Sequence, residues 1–238
     1  MTDFGQIPQY ASYVAQDPFR HGLHFPAVVH ELDGLNKRIL DVGTGPGLFS
    51  RLMARAGASV VAYDKSPEKI GEAQAHEDAQ DLRVTYVVAT PRTFAAEGLF
   101  DAATSVMVLP YAADRDELAE FFRNTRRHLV PGGKFVSVVL NPFFSSFERD
   151  LVVRRVKRLG GNQVRMEFLN EASGAVVMNP IYYQYSREEY ESAAAQAGMT
   201  WEWKRLFATP AAMAQKGEDF WRPCHETEPY ALLIAQNI

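Results

Sequence analysis

At 238 residues, with 47% apolar and 23% charged residues and a formal net charge of -4, the chain is long enough for one sizeable globular domain with additions and too short for two. The slight negative charge argues against a nucleic-acid partner, which calls for a basic face. A single cysteine, Cys224, excludes an internal disulfide and points to a reducing, cytoplasmic compartment. The N-terminus has no basic segment ahead of an apolar core, and no apolar run approaches membrane-spanning length. The expectation is a cytoplasmic protein, monomer or homodimer, with no membrane and no nucleic acid among its partners.

Residues 1–36 precede the first strand and carry Phe4, Tyr10, Tyr13, Phe19 and Phe25, with a break at Asp17-Pro18. One or two short helices are expected there, the second over Pro26 to Leu32. Arg38 to Val42 is a short buried strand, followed by a glycine-rich turn and a helix whose apolar residues Leu48, Phe49, Leu52 and Met53 follow helical spacing. Ser59 to Tyr63 is a second apolar strand ending in Asp64. Ser66-Pro67-Glu68 then starts a helix running to about Ala79. Arg83 to Val88 alternates as a third strand, and Ala102 to Leu109 is a buried fourth. Asp114-x-x-Glu117 is a capping box for a helix with Leu118, Phe121, Phe122 and Thr125 on one face, ended by Pro131-Gly132-Gly133. Lys134 to Leu140 is a fifth strand. Strands alternating with helices in this way specify an α/β, doubly wound parallel sheet, with its ligand at the carboxyl ends of the strands.

The pattern changes after Asn141-Pro142. Phe143 to Arg158 reads as irregular, then helical. Gln163 to Leu169 and Ala175 to Tyr185 alternate as strands about a turn at 171–174, an antiparallel insertion. Ser186-x-x-Glu189 caps another helix, and Trp201 to Phe207 and Tyr230 to Ala235 are the last strands. The 210–228 linker between them holds Phe220, Trp221 and His225, and its length suggests a cover for the site. This divides the chain into an N-terminal helical lid (1–36), a cofactor-binding core (37–141), an insertion or substrate cap (142–185) and a C-terminal part of the core sheet (186–238).

The turn Gly43-Thr44-Gly45-Pro46-Gly47 carries the chemistry. Its glycines let the backbone turn sharply and approach a ligand, and Asp64, some twenty residues further at the tip of the next strand, suits ribose hydroxyls. A dinucleotide fingerprint needs G-x-G-x-x-G; here Leu48 stands at its third glycine and the spacing is G-x-G-x-G. Asp41, just before the turn, would repel a pyrophosphate and welcome a cationic amino group. The loop fits S-adenosylmethionine better than a nicotinamide cofactor. Ile39 to Gly47 resembles the first motif of the class I S-adenosylmethionine-dependent methyltransferases. Phe100-Asp101 and Leu129 to Phe135 resemble the family's motifs ahead of the fourth and fifth strands.

The resemblance implies a Rossmann-like, seven-stranded, mostly parallel sheet with a reversed edge hairpin. It also implies S-adenosyl-L-methionine as cofactor and S-adenosyl-L-homocysteine as product. By position, Asp41 would sit near the methionine amino group. Gly43, Thr44, Gly45 and Gly47 would line the methionine and ribose, Asp64 would hold the ribose hydroxyls, and Lys65 would lie along the adenine. Thr90, beside Ala89, stands where the family often has an acid that reads the adenine amino group. Ser105, Val106 and Met107 would lie near the departing methyl. Tyr10, Tyr13 and Arg20 are lid candidates, Arg20 because a guanidinium can hold the cofactor's carboxylate bidentately. Met107, Tyr111, Asn141, Tyr183 and Trp221, with Tyr10, are candidates for the substrate, and Tyr182, Tyr183 and Tyr185 could stack on a planar one.

A general base is optional at a nitrogen nucleophile, and His21, His24 and His225 are the candidates. No metal is expected, because no third ligand accompanies His21 and His24. The insertion and tail are similar to small-molecule methyltransferases of bacterial secondary metabolism, in particular the toxoflavin-type azapteridine N-methyltransferases. Three alternatives stand beside this one: a nicotinamide-dependent oxidoreductase, a protein of this fold that binds the cofactor without methyl transfer, and a nucleic-acid methyltransferase. Against the last, Val108-Leu109-Pro110-Tyr111 lacks the polar residue that would bind a target amine.

Overall fold

The computed structural model describes residues 10–78 and 82–238, with side chains described for 13–77 and 82–238. A seven-stranded sheet forms its centre, in the order β10-β11-β5-β4-β1-β2-β3. The strands are β1 (Arg38–Val42), β2 (Ser59–Asp64), β3 (Thr85–Val88), β4 (Phe100–Val106), β5 (Leu129–Leu140), β10 (Met199–Arg205) and β11 (Tyr230–Asn237). The first five run parallel, while β11 runs against both β5 and β10. The expected edge hairpin is therefore present, and its reversed strand lies one place in from the edge. The order steps from β1 outward to β2 and β3 on one side and to β4 and β5 on the other. That reversal opens a crevice above the carboxyl end of β1.

Helices cover both faces. One core joins β1, β2, β4 and β5 through Leu40, Val42, Tyr63, Phe100 and Phe135 to Phe121 and Phe122 of α5 (Arg115–His128) and Tyr190 of α6 (Arg187–Gln196). α5 starts where the Asp114 carboxylate accepts the Glu117 amide, and α6 starts at a complete Ser186/Glu189 capping box. The other core packs Ile39, Val60 and Val138 against α2 (Phe25–Glu31) and α3 (Leu48–Arg55). It continues through Phe19 and Trp221 into the insertion, to Val156, Val164 and Phe168. α1 is Tyr10–Gln16 and α4 is Pro67–Asp78.

Three expectations change. The sequence reading makes the end of the 143–158 segment helical, but residues 154–160 form strand β6 (Arg154–Gly160). It pairs with β7 (Gln163–Leu169), which pairs in turn with β8 (Val176–Met178) and β9 (Ile181–Tyr183). The inward positions of β6 are Arg154 and Val156, so a charged residue occupies a core site and hides the strand alternation. Pro131-Gly132-Gly133 does not precede the fifth strand; it lies within β5, where the register with β4 shifts between Phe100 and Ala102. The 210–228 linker folds as α7 (Pro210–Lys216) and α8 (Glu218–Thr227), packed under the N-terminal helices through Trp221.

Candidate functional site

A cavity of about 630 Å³ opens above the carboxyl ends of β1, β2, β3 and β4. The glycine turn forms one wall. Gly43, Gly45 and Gly47 all have left-handed backbones, with φ of 69°, 57° and 73°. A Cβ on Gly43 would lie 2.4 Å from Val108, and one on Gly47 would lie 2.5 Å from the Tyr86 hydroxyl, so these two positions are closed by packing. A Cβ on Gly45 would meet nothing within 4 Å; that glycine is the one whose backbone faces open space.

The amides of the turn are spent inside the protein. Gly43 and Thr44 N–H both donate to the Tyr63 carbonyl, at 2.8 and 3.0 Å. Gly45 N–H donates to Asp64 Oδ2 at 2.9 Å, and Gly47 N–H donates to the Thr44 carbonyl at 3.2 Å. The Arg51 guanidinium donates to the Pro46 carbonyl at 2.8 Å. Such a turn has no nest of free N–H groups for a pyrophosphate.

Asp64 lies at the end of β2, on the cavity wall. Its two oxygens accept the Gly45 and Ser66 amides at 2.9 Å each. A carboxylate has roughly four lone-pair sites, so acceptor capacity remains on the cavity side. Thr44, Lys65, Ala89 and Val106 also line the cavity. So does Arg20, the first residue of a π-helical turn, Arg20–His24, that leads into α2. Such turns recur at functional sites.

Asp41 is placed differently from the sequence reading. It is 3% exposed and lies beneath the turn, away from the cavity lining. Ser50 Oγ donates to its Oδ2 at 2.5 Å and Thr104 Oγ1 to its Oδ1 at 3.0 Å. Burial pushes its carboxyl above the usual range, offset in part by hydrogen bonds from Ser50, Thr44 and Thr104. Thr90 also stays off the lining; its hydroxyl bonds Thr93 Oγ1 at 3.0 Å within a turn, and Pro91 reaches the cavity instead. Ser105 is fully buried inside the sheet, since it alternates with its outward neighbour Val106. Tyr13 lies outside the lining: its hydroxyl accepts from Arg154 at 2.8 Å and its ring packs edge-on to Phe168. The side chain of Tyr10 lies outside the described residues.

Of the substrate candidates, Met107 and Tyr111 line the cavity. Met107 has a φ of 59°, a conformation rare for a side-chain-bearing residue, and turns the chain sharply at the end of β4. Tyr183 does not reach the cavity; Tyr182 does, with its ring centroid 4.6 Å from that of Tyr111. Adjacent strand residues face opposite ways, and Tyr183 turns toward Tyr185. Asn141 is a structural joint, donating to the Glu228 carbonyl at 2.8 Å and accepting the Phe143 amide at 3.0 Å. Trp221 is fully buried, with its indole N–H on the Ala212 carbonyl, and no residue of 210–228 lines the cavity.

None of the three candidate histidines lines the cavity. His21 Nε2 pairs with the Ala15 carbonyl. His24 is buried against Tyr230, and burial pushes its pKa down to about 3. His225 Nε2 accepts the Ala208 amide, and burial lowers its pKa. Among the described residues no group of three His, Cys, Asp or Glu is placed to hold a metal ion, and no helix is long and apolar enough to cross a membrane. Several lining residues were not singled out as site residues in the sequence, among them Glu117, read as a cap, and Phe121, read as core. Both belong to α5, and only the approach of that helix to the segment after β3 reveals them.

Residues 39–133 match the family model described as a methyltransferase domain. Similar curated proteins include a ubiquinone biosynthesis O-methyltransferase of Xanthomonas oryzae pv. oryzae (strain PXO99A), 40% identical over 112 residues, 46% of each chain. Another of the same name, from Sinorhizobium medicae (strain WSM419), is 35% identical over 136 residues, 56% of this chain and 52% of that one. The chain thus matches about half the length of these relatives. Among solved structures, SAM-bound CalS10, an amino pentose methyltransferase from Micromonospora echinaspora, superposes with a TM-score of 0.67 at 20% identity, covering 100% of this chain and 99% of that one. An S-adenosylmethionine-dependent methyltransferase from Mesorhizobium loti gives 0.63 at 21% identity, over 94% and 99%. At these identities the likeness establishes the fold: a Rossmann-like methyltransferase sheet carrying an antiparallel insertion.

Proposed function

We propose that this chain, whose residues 39–133 belong to the methyltransferase-domain family, is an S-adenosylmethionine-dependent methyltransferase acting on a small planar metabolite, at nitrogen or oxygen. The observation that carries the reading is the turn itself. Its amides at Gly43, Thr44, Gly45 and Gly47 are consumed internally, while the backbone of Gly45 faces the cavity beside the Asp64 carboxylate. That wall suits a ribose and a cationic amino acid, and it offers nothing to a pyrophosphate, which speaks against the nicotinamide alternative.

Among the described residues the lining carries three cations (Arg20, Lys65, Lys69) and three carboxylates (Asp64, Glu68, Glu117), a balance suited to a cofactor that is itself zwitterionic with one extra positive charge. Asp64 would accept the ribose hydroxyls, and Arg20 would donate to the carboxylate. The cofactor supplies a methyl group activated on sulfonium. The chain aligns the acceptor: Tyr111 and Tyr182 present two rings on which a flat molecule can stack, and Met107 and Val106 form the apolar wall beside it. Holding two reactants in line can lower a barrier by about 7–11 kcal/mol. Many nitrogen acceptors need no base from the protein.

The test is incubation of metabolite extracts with the protein and cofactor bearing a deuterated methyl group, read by mass spectrometry. The expected result is label on a planar heteroaromatic or comparable metabolite. Label on none, with the cofactor bound, would reduce the protein to a binder of the cofactor.

A further inference from the structure

We infer that Glu117, at the start of α5, reads the exocyclic amino group of the cofactor's adenine and sets the selectivity of the site for that base. The inference rests on the cofactor proposed above. A cavity that selects an adenosyl group by its base does so with an acceptor for the 6-amino N–H. Thr90, the side chain next to Ala89 in the chain, is turned away and bonded to Thr93.

The geometry points to Glu117. Glu117, Phe121, Asn124 and His128 recur at helical spacing along one stripe of α5. The lower end of that stripe is fixed to the segment that follows β3. The His128 ring packs on Phe94 at 5.1 Å, and Asn124 Nδ2 donates to the Phe94 carbonyl at 3.0 Å. The Phe94 amide in turn donates to the Thr90 carbonyl at 2.9 Å. The upper end, Phe121 and Glu117, joins Ala89 and Pro91 in the cavity lining.

Three carboxylates line the cavity among the described residues. Asp64 is anchored at the turn by the Gly45 and Ser66 amides. Glu68 is exposed, whereas Glu117 is half-buried. Glu117 is also held in place: its Oε2 accepts the Ala113 amide at 2.7 Å, which leaves Oε1 to take an amino donor. A preset carboxylate acceptor forms a charge-assisted hydrogen bond with an amine and repels a carbonyl oxygen in the same place.

The experiment is calorimetric binding of S-adenosylhomocysteine and S-inosylhomocysteine, which differ in an amino against an oxo group at position 6. Wild type should prefer the adenosyl compound by about tenfold or more, the range of one hydrogen bond to a charged group. Glu117→Ala should bring the two affinities to within about threefold. Asp64→Ala should weaken both and leave their ratio as it was. Because Ala113 loses its partner in Glu117→Ala, Glu117→Gln is the second variant. It keeps an acceptor and adds a donor, so it should bind the inosyl compound more tightly than wild type does. An adenosyl preference that survives both Glu117 variants overturns this inference and leaves the cofactor assignment standing. Failure of wild type to bind either compound overturns the cofactor assignment, and this inference with it.

Discussion

Among the described residues two aspartates are almost wholly buried, and they are held in opposite ways. Asp41, 3% exposed under the glycine turn, is met by two hydroxyls, Ser50 and Thr104. Asp17, 2% exposed behind the N-terminal helices, is met by guanidiniums: Arg154 at 2.5 Å and Arg20 at 3.5 Å. The hydroxyl-bound acid can take a proton without losing its partners, and it ties β1 to α3 through Ser50 and to β4 through Thr104. The ion-paired acid joins segments far apart in sequence, the N-terminal helices and strand β6, through a guanidinium that also lies 4.0 Å from the Phe168 ring centroid. The glycine-turn side of the molecule is thus held by neutral hydrogen bonds, and the N-terminal side by a buried charge pair. Asp64, beside the turn, is an aspartate that does reach the wall.

On that contrast, the N-terminal side is the more fragile to a single change. Arg154→Met should cost about 3–5 kcal/mol of stability, because it leaves the Asp17 carboxylate buried without its nearest counter-charge. Adding Asp17→Asn to it should recover part of the loss. Urea denaturation of both variants measures this, and a loss below about 1 kcal/mol for the single variant would deny the pair its role.

On the turn side the two glycines should separate. Gly47→Ala combines a left-handed backbone with a Cβ 2.5 Å from the Tyr86 hydroxyl and 2.9 Å from Ala73, and should cost about 2–4 kcal/mol. Gly45→Ala meets only the backbone cost, about 1–2 kcal/mol, yet its methyl stands in the cavity and should weaken cofactor binding out of proportion. Equal stability losses would contradict the packing difference. Asp64→Ala should weaken cofactor binding by about 1–3 kcal/mol through lost charged hydrogen bonds, measured by calorimetry; an unchanged affinity removes its role.

The smallest effect is a pH dependence. Burial raises the folded-state pKa of Asp41 above its unfolded value. Its contribution to stability is therefore complete below the ordinary carboxylate range and is lost as pH rises through the raised value. Asp41→Asn removes that loss, so the variant's stability relative to wild type should become more favourable from about pH 4 to pH 8. Denaturation at the two pH values checks it, and a pH-independent difference or one of opposite sign would mean that the carboxyl titrates normally.

The turn side was also the legible side. The glycine spacing and the acid at Asp64 are local signals, and the sheet follows from the alternation of strands and helices. What the sequence hid depends on contacts between distant segments. Arg154 breaks the apolar alternation that would mark β6, because its charge is cancelled by Asp17, a residue 137 positions earlier in the chain. Tyr182 and Tyr183 are equivalent in composition, and only the register of β9 against β7 decides which one faces the cavity. Trp221 lies in a stretch that reads as a long loop, but its indole is a wedge between Phe19 and α7. The Asp41 expectation failed for a related reason: two hydroxyls, Ser50 and Thr104, reach it first.

The measurement that bears most directly on the central claim is a calorimetric titration of the purified protein with S-adenosylhomocysteine and, separately, with NADH. A turn whose amides are already bonded, beside a free face of Asp64, predicts binding of the first on the order of micromolar and no saturable heat from the second. Tight NADH binding with none of the homocysteine compound would contradict the account.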